Sequence, residues 1–204
     1  MNSEYRAYKR LYRFLTAILS VFYKIEVVGL NNIPDGPALL CANHSSNFDP
    51  IMISMAAGLR HHIHYMAKIE LFRVPILSPV LKAIGCFPVD RGKNTSQAIK
   101  VSIRYLRAGE KLGIFPEGTR SKTAGEKTAK KGAVRLADQM NAPIVPVYLP
   151  RKKRPFSKVR IEFKEPYFVN PERLKLSQED FGKLSVELME RINKVETSAK
   201  EAAS

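Results

Sequence analysis

Over residues 4–23 the apolar positions repeat at helical spacing: Tyr5, Tyr8, Leu11, Tyr12, Leu15, Ile18, Leu19 and Phe22 recur three and four apart, with Arg6, Lys9, Arg10 and Arg13 on the flanks. From Lys24 the period changes. Short β-rich runs at 25–28 and 38–43 bracket the turn sequence "NNIPDGP", and Asp49-Pro50 reads as an N-cap with a first-turn proline opening a helix over 51–59. Further along come a strand at 62–67, helical segments at 70–72 and 76–85, a strand-like run into Asp90, a helix over 95–108 closed by Gly109, and a strand at 111–116. A helix at 133–140, with Ala133, Leu136, Ala137 and Met140 on one face, precedes strands at 143–149 and 158–163. The last helix begins at Ser177, which has capping-box spacing to Asp180 and an apolar stripe of Phe181, Leu184, Leu188 and Ile192. Such alternation predicts an α/β fold, a largely parallel sheet with helices on both faces. The chain divides into an N-terminal amphipathic helix, 1–24, and one domain, 25–204.

Composition narrows the partners. An apolar fraction of 45% excludes a disordered chain, and a formal net charge of +15 calls for a phosphate-bearing partner: nucleic acid, an anionic membrane surface or a phosphorylated small molecule. Against nucleic acid, aromatics do not interleave the basic runs and no helix-turn-helix, zinc or RNA-recognition motif is evident. The first helix suits an anionic membrane surface, with docking on the domain as its other reading. Its uncharged run, 14–23, is ten residues long. Spanning a bilayer takes about 20. Cys41 and Cys86 sit in apolar surroundings, as buried, reduced thiols of a cytosolic protein do.

Two polar turns follow apolar strands, at the strand ends where doubly wound sheets gather their sites: "NHSSNFD" and "PEGTRS". His44 suits a general base, with Asp49 fixing its other ring nitrogen; the plain alternatives are a hydrogen-bonded loop histidine and a helix cap. In the second turn Glu117 can accept from a hydroxyl, Gly118 frees the backbone, and Thr119, Arg120 and Ser121 donate to a phosphate, with Lys122, Lys127, Lys130, Lys131 and Arg135 around them. In "GCFPVDR" Arg91 suits a fork-shaped grip on phosphate, and Lys68 ends a strand in "YMAK". "PRKKRPF" (150–156) reads as an exposed basic loop that either grips anionic headgroups or is simply solvated. No metal is expected: His61, His62 and His64 have no cysteine beside them, and adjacent strand residues point to opposite faces. Cys41, three residues from His44, lies where a thiol stays protonated and is not taken as a nucleophile.

In order and spacing, "NHSSNFD", "GCFPVDR", "FPEGTRS" and "IVPVYL" resemble the four motif blocks of the 1-acylglycerol-3-phosphate acyltransferase family, over about residues 26–150. The resemblance implies transfer of a fatty acyl group from acyl-CoA or acyl carrier protein, as co-substrate and with no cofactor, to the sn-2 hydroxyl of lysophosphatidic acid. It implies His44 as base and Asp49 as its orienting partner. Arg91 and Arg120, helped by Lys68, would hold the acceptor phosphate, and Glu117, Gly118 and Thr119 would shape the glycerol site. Glycerol-3-phosphate or another lysophospholipid is the alternative acceptor. The expected location is the cytoplasmic face of the cell membrane, peripheral or monotopic.

Overall fold

The structure, a computed structural model, describes residues 3–90, 95–118, 120 and 129–194. In chain order these form α1 (Ser3–Phe22), β1 (Tyr23–Val28), β2 (Ala38–Ala42), α2 (Asp49–Ala57), β3 (Ile63–Lys68), α3 (Leu77–Ala83), β4 (Cys86–Val89), α4 (Thr95–Arg107), β5 (Lys111–Ile114), α5 (Gly132–Met140), β6 (Ile144–Tyr148), β7 (Ser157–Phe163) and α6 (Gln178–Asn193). Where the sequence reads a plain turn and a helical segment, 3₁₀ turns stand at Leu30–Asn32 and Ile69–Arg73.

The strands form one sheet in the order β1-β7-β6-β2-β5-β3-β4. Five of them, β6, β2, β5, β3 and β4, run parallel. β2 is central and wholly buried, because alternate residues enter two cores. Ala38, Leu40 and Ala42 face Met52 and Ile53 of α2, while Leu39 and Cys41 join Leu106 of α4, Val134 of α5 and Leu188 of α6. Gly113 of β5 lies against the Tyr65 ring, where a Cβ would come within 2.0 Å. β4 is an edge strand, which tolerates Pro88.

One pair departs from the parallel plan. β7 runs antiparallel to β6, with Val147 opposite Phe163, and β1 follows β7 in parallel, Tyr23 beside Ser157. Eight residues separate Tyr148 from Ser157. A parallel crossover needs about a dozen or more, so this link must double back. The starts of β1 and β7 therefore lie at the end of the sheet where the five parallel strands finish.

α1 packs on α2 and α3. Tyr8 and Leu19 are buried, and the Tyr12 hydroxyl donates to the Met55 carbonyl at 3.1 Å. Its other side is exposed: Arg6, Arg10 and Arg13, then Phe14, Ile18, Val21 and Phe22. Ile18 and Phe22, which the sequence puts in one stripe with Tyr8 and Leu19, thus face outward. Phe156, 78% exposed, packs on Phe22 and donates its amide to the Phe22 carbonyl. No helix of the described residues is long and apolar enough to cross a membrane.

Candidate active site

β2 is followed by Asn43, a buried side chain clasping the residue after β6: its amide donates to the Leu149 carbonyl at 2.8 Å and accepts from the Leu149 amide at 2.9 Å. This clasp fixes where the chain leaves the sheet, and His44 is the next residue. The helix after the turn starts at Asp49 itself, with Phe48 at the cap position and Pro50 in the first turn. Asp49 is therefore not the N-cap that the sequence reading makes it. Its carboxylate turns back into the loop, where Oδ2 accepts from the amides of Ser45 (2.7 Å) and Ser46 (2.8 Å) and meets His44 Nδ1 at 2.9 Å.

A carboxylate held by two amides acts as an acceptor, so His44 carries its proton on Nδ1 and leaves a lone pair on Nε2. The ring stacks on Phe115, 4.0 Å between centroids, and its side chain keeps 16% exposure. Asp49 is wholly buried, and Lys153 Nζ pairs with its Oδ1 at 2.8 Å while donating to Ser45 Oγ at 2.9 Å. Burial alone would raise the Asp49 carboxyl, but the His44 and Lys153 partners outweigh it and hold the group below its ordinary value.

The second turn follows β5. Glu117 is buried, and both its oxygens face the Arg151 guanidinium, at 2.5 and 3.4 Å. This ion pair holds the turn and fixes the carboxylate that the sequence reading offers to a substrate hydroxyl. Gly118 adopts φ +70, and a Cβ there would meet the Lys130 stem at 2.6 Å. Arg120 Nη1 donates to Asn47 Oδ1 at 2.8 Å, which ties this turn to the His44 turn and sets a cation beside it.

Lys68 closes β3 at the same end of the sheet, exposed. Arg91 and Thr119 lie outside the described residues, as do Ser121, Lys122 and Lys127. Two cations grouped with the second turn serve elsewhere: Lys131 donates to the Gln178 carbonyl at 2.7 Å, and Arg135 bonds the Gln178 side chain and lies over Phe181, all at the start of α6. Cys41 is fully buried on the α5–α6 side, where desolvation raises its thiol, as befits a packed residue.

Arg151 and Lys153 are the residues that the sequence reading misses. "PRKKRPF" looks like an exposed cationic loop, yet their side chains are only 11% and 5% exposed. The signal is a period of two carried past the strand: Leu149, Arg151 and Lys153 turn inward, Lys152 and Arg154 outward.

Comparisons with known proteins agree on one family. A family model described as Acyltransferase matches residues 24–150. The chain is 39% identical over 140 residues to the 1-acyl-sn-glycerol-3-phosphate acyltransferase of Bacillus subtilis, covering 68% of this chain and 69% of that protein. It is 35% identical over 149 residues to a probable enzyme of the same name from Mycoplasma pneumoniae, covering 69% of this chain and 54% of that one. To a chloroplastic Arabidopsis thaliana protein of that name it is 34% identical over 132 residues, 63% of this chain and 36% of the relative. In fold it resembles the crystal structure of the 1-acyl-sn-glycerophosphate (LPA) acyltransferase from Thermotoga maritima, with a TM-score of 0.69 and 24% identity over 93% of this chain and 81% of that one.

Proposed function

The chain belongs to the 1-acylglycerol-3-phosphate acyltransferase family, and on that premise we propose that His44 drives transfer of a fatty acyl group from a thioester to the sn-2 hydroxyl of lysophosphatidic acid, giving phosphatidic acid for phospholipid synthesis. The observation that carries this reading is the 2.9 Å contact of His44 Nδ1 with the buried Asp49 carboxylate, beside a turn that holds Arg120. Nε2 takes the proton of the acceptor hydroxyl as its oxygen bonds to the thioester carbonyl carbon. The carbon–sulfur bond then breaks, the thiolate leaves, and the proton on His44 passes to it. A thioester is already activated, so no covalent enzyme intermediate is required. Arg120 holds the acceptor phosphate, with Lys68 and Arg91 as the family's further cations, while Gly118 and Thr119 shape the glycerol site. The donor is acyl-CoA or acyl carrier protein.

In the same reading residues 25–204 form the acyltransferase domain, and helix 1–24 lies on an anionic membrane at its cytoplasmic face. The exposed arginines of α1 supply attraction worth about 1 kcal/mol each near such a surface, and Phe14, Ile18, Val21, Phe22 and Phe156 supply an apolar footing. That footing stands at the end of the sheet where His44 lies, which suits an acceptor delivered from lipid.

The test is thiol release from palmitoyl-CoA by purified protein in mixed micelles, with lysophosphatidic acid, glycerol-3-phosphate or no acceptor. Release that needs lysophosphatidic acid is expected. Release with glycerol-3-phosphate instead changes the acceptor, and inactivity with both CoA and carrier-protein donors overturns the enzymatic reading.

Lys153 is a positioning residue in this scheme, because it neutralises part of the charge that Asp49 offers to the imidazolium. Removing that cation leaves the carboxylate to favour the protonated ring more strongly. Lys153→Met should therefore move the acid limb of the kcat/KM pH profile upward, and Lys153→Arg should restore it. A profile unmoved in Lys153→Met would reduce Lys153 to a packing role.

A further inference from the structure

At the opposite end of the sheet from His44, where β3 and β5 begin side by side (Ile63 opposite Lys111), lies a cluster that acyl transfer does not use: His62, His64 and Glu110. Adjacent residues on a strand alternate in direction, but His62 and His64 are two apart and turn to the same side. Their ring centroids are 4.4 Å apart. His62 packs on Tyr8 of α1 (4.0 Å), and His64 stacks on Tyr105 of α4 (3.8 Å, 17° between planes). Between them stands Gly85 at φ +84, where a Cβ would lie 2.8 Å from His62 Nε2 and 3.1 Å from His64 Nδ1. A glycine there leaves the room in which the rings converge.

The proton positions make the cluster informative. His64 Nδ1 lies 3.2 Å from the Gly85 carbonyl, which only accepts, so Nδ1 carries the hydrogen. In the neutral ring Nε2 is then a lone pair, and it faces Glu110 Oε2 at 3.7 Å. The Glu110 carboxylate thus reaches the His64 ring on the side away from Gly85. The Nδ1-to-carbonyl bond is also the arrangement that aims and polarises a metal-binding histidine. The third group stands ready: His62 Nε2 is buried with no hydrogen-bond partner among the described residues.

We propose that His62, His64 and Glu110 bind a divalent ion of the zinc class, one ring nitrogen from each histidine and one carboxylate oxygen, with water completing four-fold coordination. The three donor atoms all lie within 4.8 Å of one another. Zinc at about 2.0–2.1 Å from each ligand sets tetrahedral neighbours roughly 3.4 Å apart, close to the 3.7 Å of the His64–Glu110 edge. The remaining closure falls to Glu110, whose side chain is 43% exposed and can swing. Imidazole with carboxylate is a donor set that suits zinc, and the ion would join the starts of β3 and β5.

The experiment uses the full chain without a polyhistidine tag, stripped with chelator, titrated with Zn²⁺ in a calorimeter and with Co²⁺ by visible absorption, alongside thermal melting. One equivalent per chain is expected, with a Tm that rises with zinc and a Co²⁺ spectrum of tetrahedral type. Glu110→Gln, which alters an exposed side chain and preserves its shape, and His62→Ala should each weaken binding at least about 10-fold, the lower end of what mere supporting residues cost. Absence of saturable one-equivalent binding overturns the proposal, as does binding unchanged in both variants. Metal affinity and melting are read without substrate, so neither result depends on the acyl transfer assignment.

Discussion

His44→Ala lowers turnover by about 10²- to 10⁴-fold while the protein folds as before, the range a positioned general base supplies. The size follows from the scheme, in which this is the group that takes the acceptor proton. Folding survives because the neighbourhood does not depend on the ring. Asp49 keeps the Ser45 and Ser46 amides at 2.7 and 2.8 Å and the Lys153 ammonium at 2.8 Å, so no buried charge is orphaned. What is lost is one face of the Phe115 stack, on a side chain already 16% exposed. Circular dichroism and melting beside the thiol-release assay check both halves. A folded His44→Ala protein with full activity would remove His44 from the mechanism.

Arg151→Met has its largest effect on stability. Glu117 is 4% exposed, and stripping the cation leaves a buried carboxylate uncompensated, a change that costs about 3–5 kcal/mol. Against a total of about 5–15 kcal/mol this is a large share. For a protein of this size each kcal/mol moves Tm by about 2–4 °C, so a drop of roughly 6–20 °C is expected. The double variant Arg151→Met/Glu117→Gln, which removes the charge together with its partner, should recover part of that loss, and the cycle isolates the pair from the other contacts of Arg151. A single variant melting within about 2 °C of wild type would show that Glu117 does not rely on this guanidinium. The Pro116–Gly118 turn carries Arg120 behind it, so acyl transfer should fall as well.

Both residues show where the sequence can be read and where it cannot. The strand–helix alternation is legible because each element repeats its own period, and the Ser177–Asp180 capping box forms as its spacing predicts. The two turns of the site are legible too, since apolar strands feed polar residues into a place where sheets put chemistry. Partner choice is not. Nothing in "FPEGTRS" says that Glu117 is answered from 34 residues further on, nor in "NHSSNFD" that Asp49 meets a lysine from the link between β6 and β7. In "PRKKRPF" the run of cations hides the alternation that separates inward from outward residues. The reversal of β7 could have been found by counting, because its link is too short to cross over.

That reversal also fixes an order of events in synthesis. β1, made first, has as its sheet neighbour β7, and the Asn32 amide reaches the Phe163 carbonyl across 131 residues of chain. The neighbouring pairs from β2 to β6 all lie within the intervening stretch, and each of their strands is made before β7. β1 therefore waits unpaired while the strands between it and β7 are made. The earliest strand of the sheet in chain order thus has the latest one as its partner.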